Sequence, residues 1–269
     1  MTLTIWIALL ILSLILTFTA ATRPRPLPPR QERKLWIRRT VRLPLAIVLV
    51  LAVGACGRAT SEKTVRKLAS SPEAVKARHE AESAGRSTIA TWESETPLTL
   101  GLVVIEDICI GGRDTEWLLP TGDDKYKIRC AMAISAYFGA DPRMVADTID
   151  GVLSAGDRPG SPIPFNRDFV YARTVVDYYR GNSEASSGSN AVEPTELLST
   201  EGVALNWDQV RGDNGRELID EPRSCTPHDP PIRRCIQEPE STSIRDLRRQ
   251  YGMVFKITIP VKNYHTIRK

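Results

Sequence analysis

Two uncharged, largely apolar stretches open the chain, Leu3 to Ala20 and Leu43 to Gly54. The first is hydrophobic on every side of a helix, unlike an amphipathic surface helix. At about 1.5 Å per residue it reaches about 27 Å, near the hydrocarbon thickness of a bilayer. The second is shorter and has the length of a signal-peptide hydrophobic region. Residues 58–95 alternate charges with scattered apolar positions (Val65, Leu68, Val75, Ala81). The apolar stripe is narrow, so this piece is expected to be a helical tether, a stalk in the first reading and a lid in the second, with Ser71 and Pro72 starting a new helix as N-cap and first helical residue.

From Pro97 onward the periods sharpen. Leu98 to Ile105 is a mostly apolar run suited to a buried strand. Tyr126, Ile128, Cys130, Met132, Ile134, Ala136 and Phe138 alternate with polar or small residues, the period of a strand with one buried face. Asp141-Pro142 predicts a helix start, and Met144, Val145, Ile149, Val152 and Leu153 continue at helical spacing to Gly156. A second helix is expected over 168–180, stopped by Gly181. Residues 182–196 are Ser/Gly-rich and read as a loop. Gly202 to Trp207 reads as a short strand. Ser243 to Asp246 forms a capping-box pattern, opening a helix that ends at Tyr251-Gly252. A last strand, Met253 to Val261, follows, with Pro260 expected at a sheet edge or strand end. This order favours an α+β domain over 96–269: a small, largely antiparallel sheet covered by helices on one face. A parallel crossover within a mixed sheet is the alternative.

Charge changes the picture. Residues 23–42 carry eight Arg or Lys against Glu32, a formal +7, and the stretches on either side, 1–22 and 43–56, carry none. With the whole chain at +4, the part from Gly57 onward sums to −3. The basic residues sit between hydrophobic segments and not on the folded part, which argues against a nucleic-acid surface. They mark instead the cytoplasmic side of a membrane. The organisation expected is a transmembrane segment (1–22), a basic cytoplasmic loop (23–42), a second hydrophobic segment (43–57), a tether (58–95) and an extracytoplasmic domain (96–269).

The tetrapeptide Val53-Gly54-Ala55-Cys56 ends the second segment after the basic stretch. Here the sequence resembles a bacterial lipoprotein signal, similar to those of small exported lipoproteins of actinobacteria. The resemblance covers Lys34 to Gly57 and implies that Cys56 is lipidated and becomes the mature N-terminus. It departs from the pattern at Gly54, where Ala or Ser is usual, and in starting some thirty residues into the chain. A translation start between Leu35 and Val41 reconciles the lipoprotein reading with that offset and leaves the first segment out; both segments spanning as a hairpin without lipid is the alternative anchor. Either one places the folded domain outside.

Of the five cysteines, lipidation of Cys56 leaves Cys109, Cys130, Cys225 and Cys235, an even number on the oxidising side of the membrane. Neighbour pairing, Cys109 with Cys130 and Cys225 with Cys235, is the expected connectivity. A metal site from Cys225, His228 and Cys235 lacks standard zinc spacing and a fourth ligand.

Chemistry-bearing motifs are few. There is no phosphate loop, dinucleotide fingerprint, nucleophile elbow or zinc-protease helix. His79, His228 and His265 have no spacing to a nucleophile. Glu106-Asp107 and Asp123-Asp124 would be needed for an exported hydrolase, but paired acids in loops are usually solvated turns. Arg211-Gly212-Asp213 matches an adhesion tripeptide by its three letters alone. Arg245, Arg248 and Arg249 read as a solvated basic helix face, and Trp117, Tyr178, Tyr179 and Trp207 as core or groove aromatics. No catalytic residue, cofactor or metal is assigned. The expectation is a membrane-anchored binding module whose partners are membrane lipid and an envelope component, rather than an enzyme or a nucleic-acid binder.

Overall fold

The computed structural model describes residues 59–112, 125–182, 192–211, 218–222 and 232–269. Both hydrophobic segments, the basic loop and Cys56 lie outside them, as do Asp123-Asp124, Cys225 and His228. No helix among the described residues is long and apolar enough to cross a membrane.

Helices α1 (Glu62–Ala69) and α2 (Pro72–Glu95) precede two long strands, β1 (Thr99–Gly111) and β2 (Tyr126–Ala140). A 3-10 turn at Pro142–Met144 leads into α3 (Val145–Gly156), followed by α4 (Val170–Arg180). Then come β3 (Glu196–Leu198), β4 (Ala204–Trp207), β5 (Ile232–Glu238), α5 (Ile244–Tyr251) and β6 (Met253–Arg268). The six strands form one sheet in the order β3-β4-β6-β2-β1-β5. Every neighbouring pair is antiparallel, so the α+β reading holds and no parallel crossover occurs among the described strands.

The period-two pattern of β2 does what it predicts: Tyr126, Ile128, Cys130, Met132, Ile134, Ala136 and Phe138 are all buried. The main core joins that face to Val103 and Ile105 of β1, Phe255 and Ile257 of β6, Trp92 of α2, and the apolar sides of α3 and α4.

The expectation of helices on one face alone is corrected by α5. Its Ile244 and Leu247 pack on Leu102, Val104, Tyr137 and Val254, which point away from the main core. The continuous apolar run of β1 is the cause: a strand apolar at consecutive positions has two faces to cover. Gly101 forms a bulge where the β1–β2 register shifts, and a Cβ there would lie 2.2 Å from Leu247 Cδ2, so the glycine gives α5 its seat. The capping box is present, with Ser243 Oγ accepting from Asp246 N and Asp246 Oδ2 accepting from Ser243 N. Glu221 accepts from the amides of Ile244 and Arg245, satisfying two more first-turn donors.

The segment 58–95 is not a stalk. Val65 and Ala69 of α1 are buried against Cys109, Ile128 and Cys130, and Ile89 and Trp92 of α2 enter the main core. Residues 58–269 form one compact unit. The burial was hidden because helices this rich in charge bury only an occasional residue, and those few fall on the sheet. Ser71 does cap α2, accepting from Ala74 N at 3.3 Å, with Pro72 in the first turn.

Pro260 is not at a strand end, because β6 runs on to Arg268, but it does lie at an edge: β4 pairs with β6 only as far as Thr258, and beyond that β6 has β2 alone as its neighbour. Between the pairs Ile134–Ile259 and Met132–Lys262, β6 has one residue more than β2. Pro260 falls in that bulge, where a missing N–H breaks no ladder bond.

Candidate functional site

Cys109 and Cys130 face each other across β1 and β2 and form a disulfide, both side chains fully buried beneath α1. This is the one disulfide placed among the described residues. Cys235 is also disulfide-bonded, with its partner outside them.

β1 extends past Ile105 to Gly111, so Glu106 and Asp107 lie within a strand and not in a loop. Alternation then sends them to opposite faces. Glu106 accepts a hydrogen bond from Arg233 at 2.7 Å. Asp107 is buried, 2.6 Å from Arg78 Nε, and accepts from the Tyr264 hydroxyl at 2.6 Å. Burial raises the pKa of that hydroxyl, and the neighbouring carboxylate raises it further. The trio ties α2, β1 and β6 together under the helices, with Tyr264 at a second bulge of β6. Neither acid lines the hollows described below.

Arg248, Asp208 and Arg211 are likewise engaged. Arg248, expected on a solvated face, instead donates through Nε and Nη2 to the buried Asp208 carboxylate at 2.8 and 2.9 Å. Asp208 also accepts from the amides of Ile219 and Val254. The Arg211 guanidinium donates to the carbonyls of Tyr178 and Tyr179 at the end of α4, and lies 5.0 Å from the Tyr178 ring centroid. Gly212 and Asp213 lie outside the described residues. His79 is exposed on α2. His265 is half-buried on β6, its Nε2 atom enclosed without a hydrogen-bond partner. No group of three or more potential metal ligands occurs among the described residues.

Among the described residues, one surface that can take a ligand lies along α4 and the edge strand β3. A groove of about 400 Å³ is lined by Tyr171, Thr174, Val175 and Tyr178 of α4 and by residues 192–196. A second hollow of about 250 Å³ continues past the same helix, between Phe165, Phe169 and Leu198. Phe169, Val170, Tyr171, Val192 and Leu198 are all exposed here, an unusual concentration of large apolar side chains at a sheet edge.

A polar network stiffens the wall of the groove. The Glu193 carboxylate, 7% exposed, accepts from the Tyr179 hydroxyl, Val210 N and Arg211 N, each at 2.9 Å. Trp207 Nε1 donates to the Tyr179 oxygen at 2.8 Å. Burial pushes the Tyr179 hydroxyl far above its ordinary pKa, and the Glu193 charge adds to the shift. The tyrosine is therefore a fixed neutral donor and not an acid. Of the aromatics singled out in the sequence, Tyr178 lines the groove, Tyr179 and Trp207 brace it from behind, and Trp117 lies outside the described residues. Glu193, Thr195 and Glu196 were missed because they fall in a stretch whose composition signals only a loop. The apolar neighbours Leu197-Leu198 were the one available signal of a strand there.

Compared with protein families, characterised proteins and solved structures, the chain matches none.

Proposed function

We propose that this chain is a membrane-anchored protein whose folded body, residues 58–269, is held on the extracytoplasmic side and works as a binding module. The observation that carries the reading is the pair of uncharged segments bracketing a stretch of formal charge +7, directly ahead of the folded body. The anchor is lipidated Cys56 following the Leu43–Gly54 signal. The alternative is a two-helix hairpin using Leu3–Ala20 as a full span, long enough at about 27 Å. The buried Cys109–Cys130 bridge suits an oxidising compartment. Pairing of Cys225 with Cys235 completes the cysteine count.

The binding role rests on the α4–β3 surface. Its ligand is a protein or envelope component that presents apolar side chains to Phe169, Tyr171 and Leu198. The engaged state of Glu106, Asp107 and Glu193 gives no support to a hydrolase. Mass spectrometry of the non-reduced, membrane-extracted chain tests the proposal. It should return a mature N-terminus at Cys56 bearing a diacylglyceryl thioether, or the intact N-terminus for the hairpin, with the other four cysteines oxidised. Recovery of the chain from the soluble fraction with free thiols would contradict it.

A further inference from the structure

One end of the sheet is basic and lies beside residue 60, where the described part of the chain joins the fold. Thr60 N donates to Gly112 O, and Gly112 N to Lys127 O, so the chain is built into the fold from residue 60. Lys269 N donates to Lys125 O, and Tyr126 pairs with Arg268. Residues 60, 112, 125–127 and 268–269 therefore share one sheet end, and α1 starts beside it, with Val65 against Gly111. Lys63, Lys125, Lys127 and Arg268 are exposed there, and none of the four has a carboxylate partner among the described residues. Glu62, the nearest acid on α1, is taken by Arg66 at 2.6 Å.

Covalent length fixes how far this end can stray. From Cys56 to Thr60 the chain spans about 14 Å at full extension. With no stalk between anchor and body, the basic end is confined to the neighbourhood of the headgroups.

We infer that the sheet end formed by Lys63, Lys125, Lys127 and Arg268 docks on anionic phospholipid headgroups and sets the orientation of the body on the membrane. This rests on the anchoring proposed above. The orientation leaves the α4–β3 groove available, because α4 packs on the sheet beside residues 253–257 and 205–207, at the other end of β6 from Arg268. The connector 113–124 carries Asp114, Glu116, Asp123 and Asp124 against Arg113. Those carboxylates are the competing partners for the same basic groups, and the experiment has to separate the two.

The chain as extracted from the membrane, with its anchor, is reconstituted into vesicles of phosphatidylcholine alone and into vesicles containing phosphatidylglycerol. Lysine acylation by a soluble reagent is then followed residue by residue. Lys63, Lys125 and Lys127 should react about fivefold more slowly in the anionic vesicles, the scale expected for one basic side chain near a charged bilayer surface. High salt should restore the rate, because the attraction acts over a Debye length. Lys256, opposite Tyr137 near the far end of β6, should react equally in both. In the variant Lys125→Glu/Lys127→Glu/Arg268→Glu, the protection of Lys63 should disappear. Equal reactivity in the two vesicle types, with the chain inserted in both, would overturn this inference and leave the anchoring intact. A chain that stays in solution with either vesicle would overturn both.

Discussion

Replacing Glu193 by Gln tests the geometry that stiffens the groove. The carboxylate accepts three donors: Oε1 takes the Tyr179 hydroxyl and Val210 N, and Oε2 takes Arg211 N. Gln is nearly isosteric but has one acceptor oxygen. With that oxygen at the Oε1 position, its NH₂ group meets the Arg211 amide donor to donor. One hydrogen bond to a charged group is lost, and the Arg211 amide is left without its partner. Such a loss costs about 1.5–3 kcal/mol. The two surviving bonds also weaken when the acceptor becomes neutral, so the upper part of that range is expected, about 3 kcal/mol. For a domain of ordinary stability, about 5–15 kcal/mol, this is a large effect. Urea denaturation followed by tryptophan fluorescence measures it, since Trp207 donates into the same network. Glu196→Gln, on the same wall but exposed, is the control and should change stability by no more than about 0.5 kcal/mol. Hydrogen exchange gives the local readout: the amides of Val210 and Arg211 should lose protection in Glu193→Gln. If the two variants unfold at the same urea concentration as the parent and those amides keep their protection, the network does not brace the groove.

Four further predictions follow from other parts of the fold. Cys109→Ala/Cys130→Ala opens a loop closed over 21 residues of sequence separation and should cost about 3 kcal/mol in urea unfolding on the chain-entropy estimate. In Gly156→Ala the added Cβ would lie 1.7 Å from the Phe165 carbonyl oxygen, so backbone has to move, and a loss of about 3 kcal/mol by thermal or urea melting is expected. Phe169→Ser and Leu198→Ser should leave stability within about 0.5 kcal/mol while reducing binding of an apolar dye, because both side chains are exposed. Burial opposes ionisation of Glu82 and Asp150, but hydrogen bonds from Arg86 and Arg234, and from Arg167 and Arg180, outweigh it and hold both below their ordinary values of 4.5 and 3.8. A depressed folded pKa stabilises above the unfolded value, so stability should be level near neutrality and fall as the pH drops below about 4.5. Glu82→Gln/Asp150→Asn should flatten that acid limb in urea titrations run at successive pH values.

What could be read from the sequence follows from how local the signal is. β2 announced itself because seven buried positions alternate without a break. α5 did so because Ser243 and Asp246 satisfy helix-end donors three residues apart. The stop at Gly181 was legible because its φ of 75° needs a glycine. The placement of α5 was not legible, since the face it covers is decided by Leu102, Val104 and Val254 from distant strands. β3 is three residues long and exists through pairing with β4, so it carries almost no period of its own. The tether reading failed for a similar reason: Val65 and Trp92 are isolated in charged sequence and gain meaning from the disulfide and Phe165 they pack against. The groove was half visible. Tyr178, Tyr179 and Trp207 were candidates, but Glu193 and Arg211, which fix them, lie in segments whose composition signals turns.

The central claim is that the folded body faces outward from a membrane. Treating intact cells with a membrane-impermeant amine reagent, then locating the tags by peptide mass spectrometry, tests it most directly. Lys76, whose side chain is 79% exposed on α2, should be tagged without lysis; in the hairpin alternative, which keeps the basic stretch, Lys34 should not be tagged until the cells are broken. Tagging of Lys76 only after the cells are broken would place the body on the inner side and contradict the account.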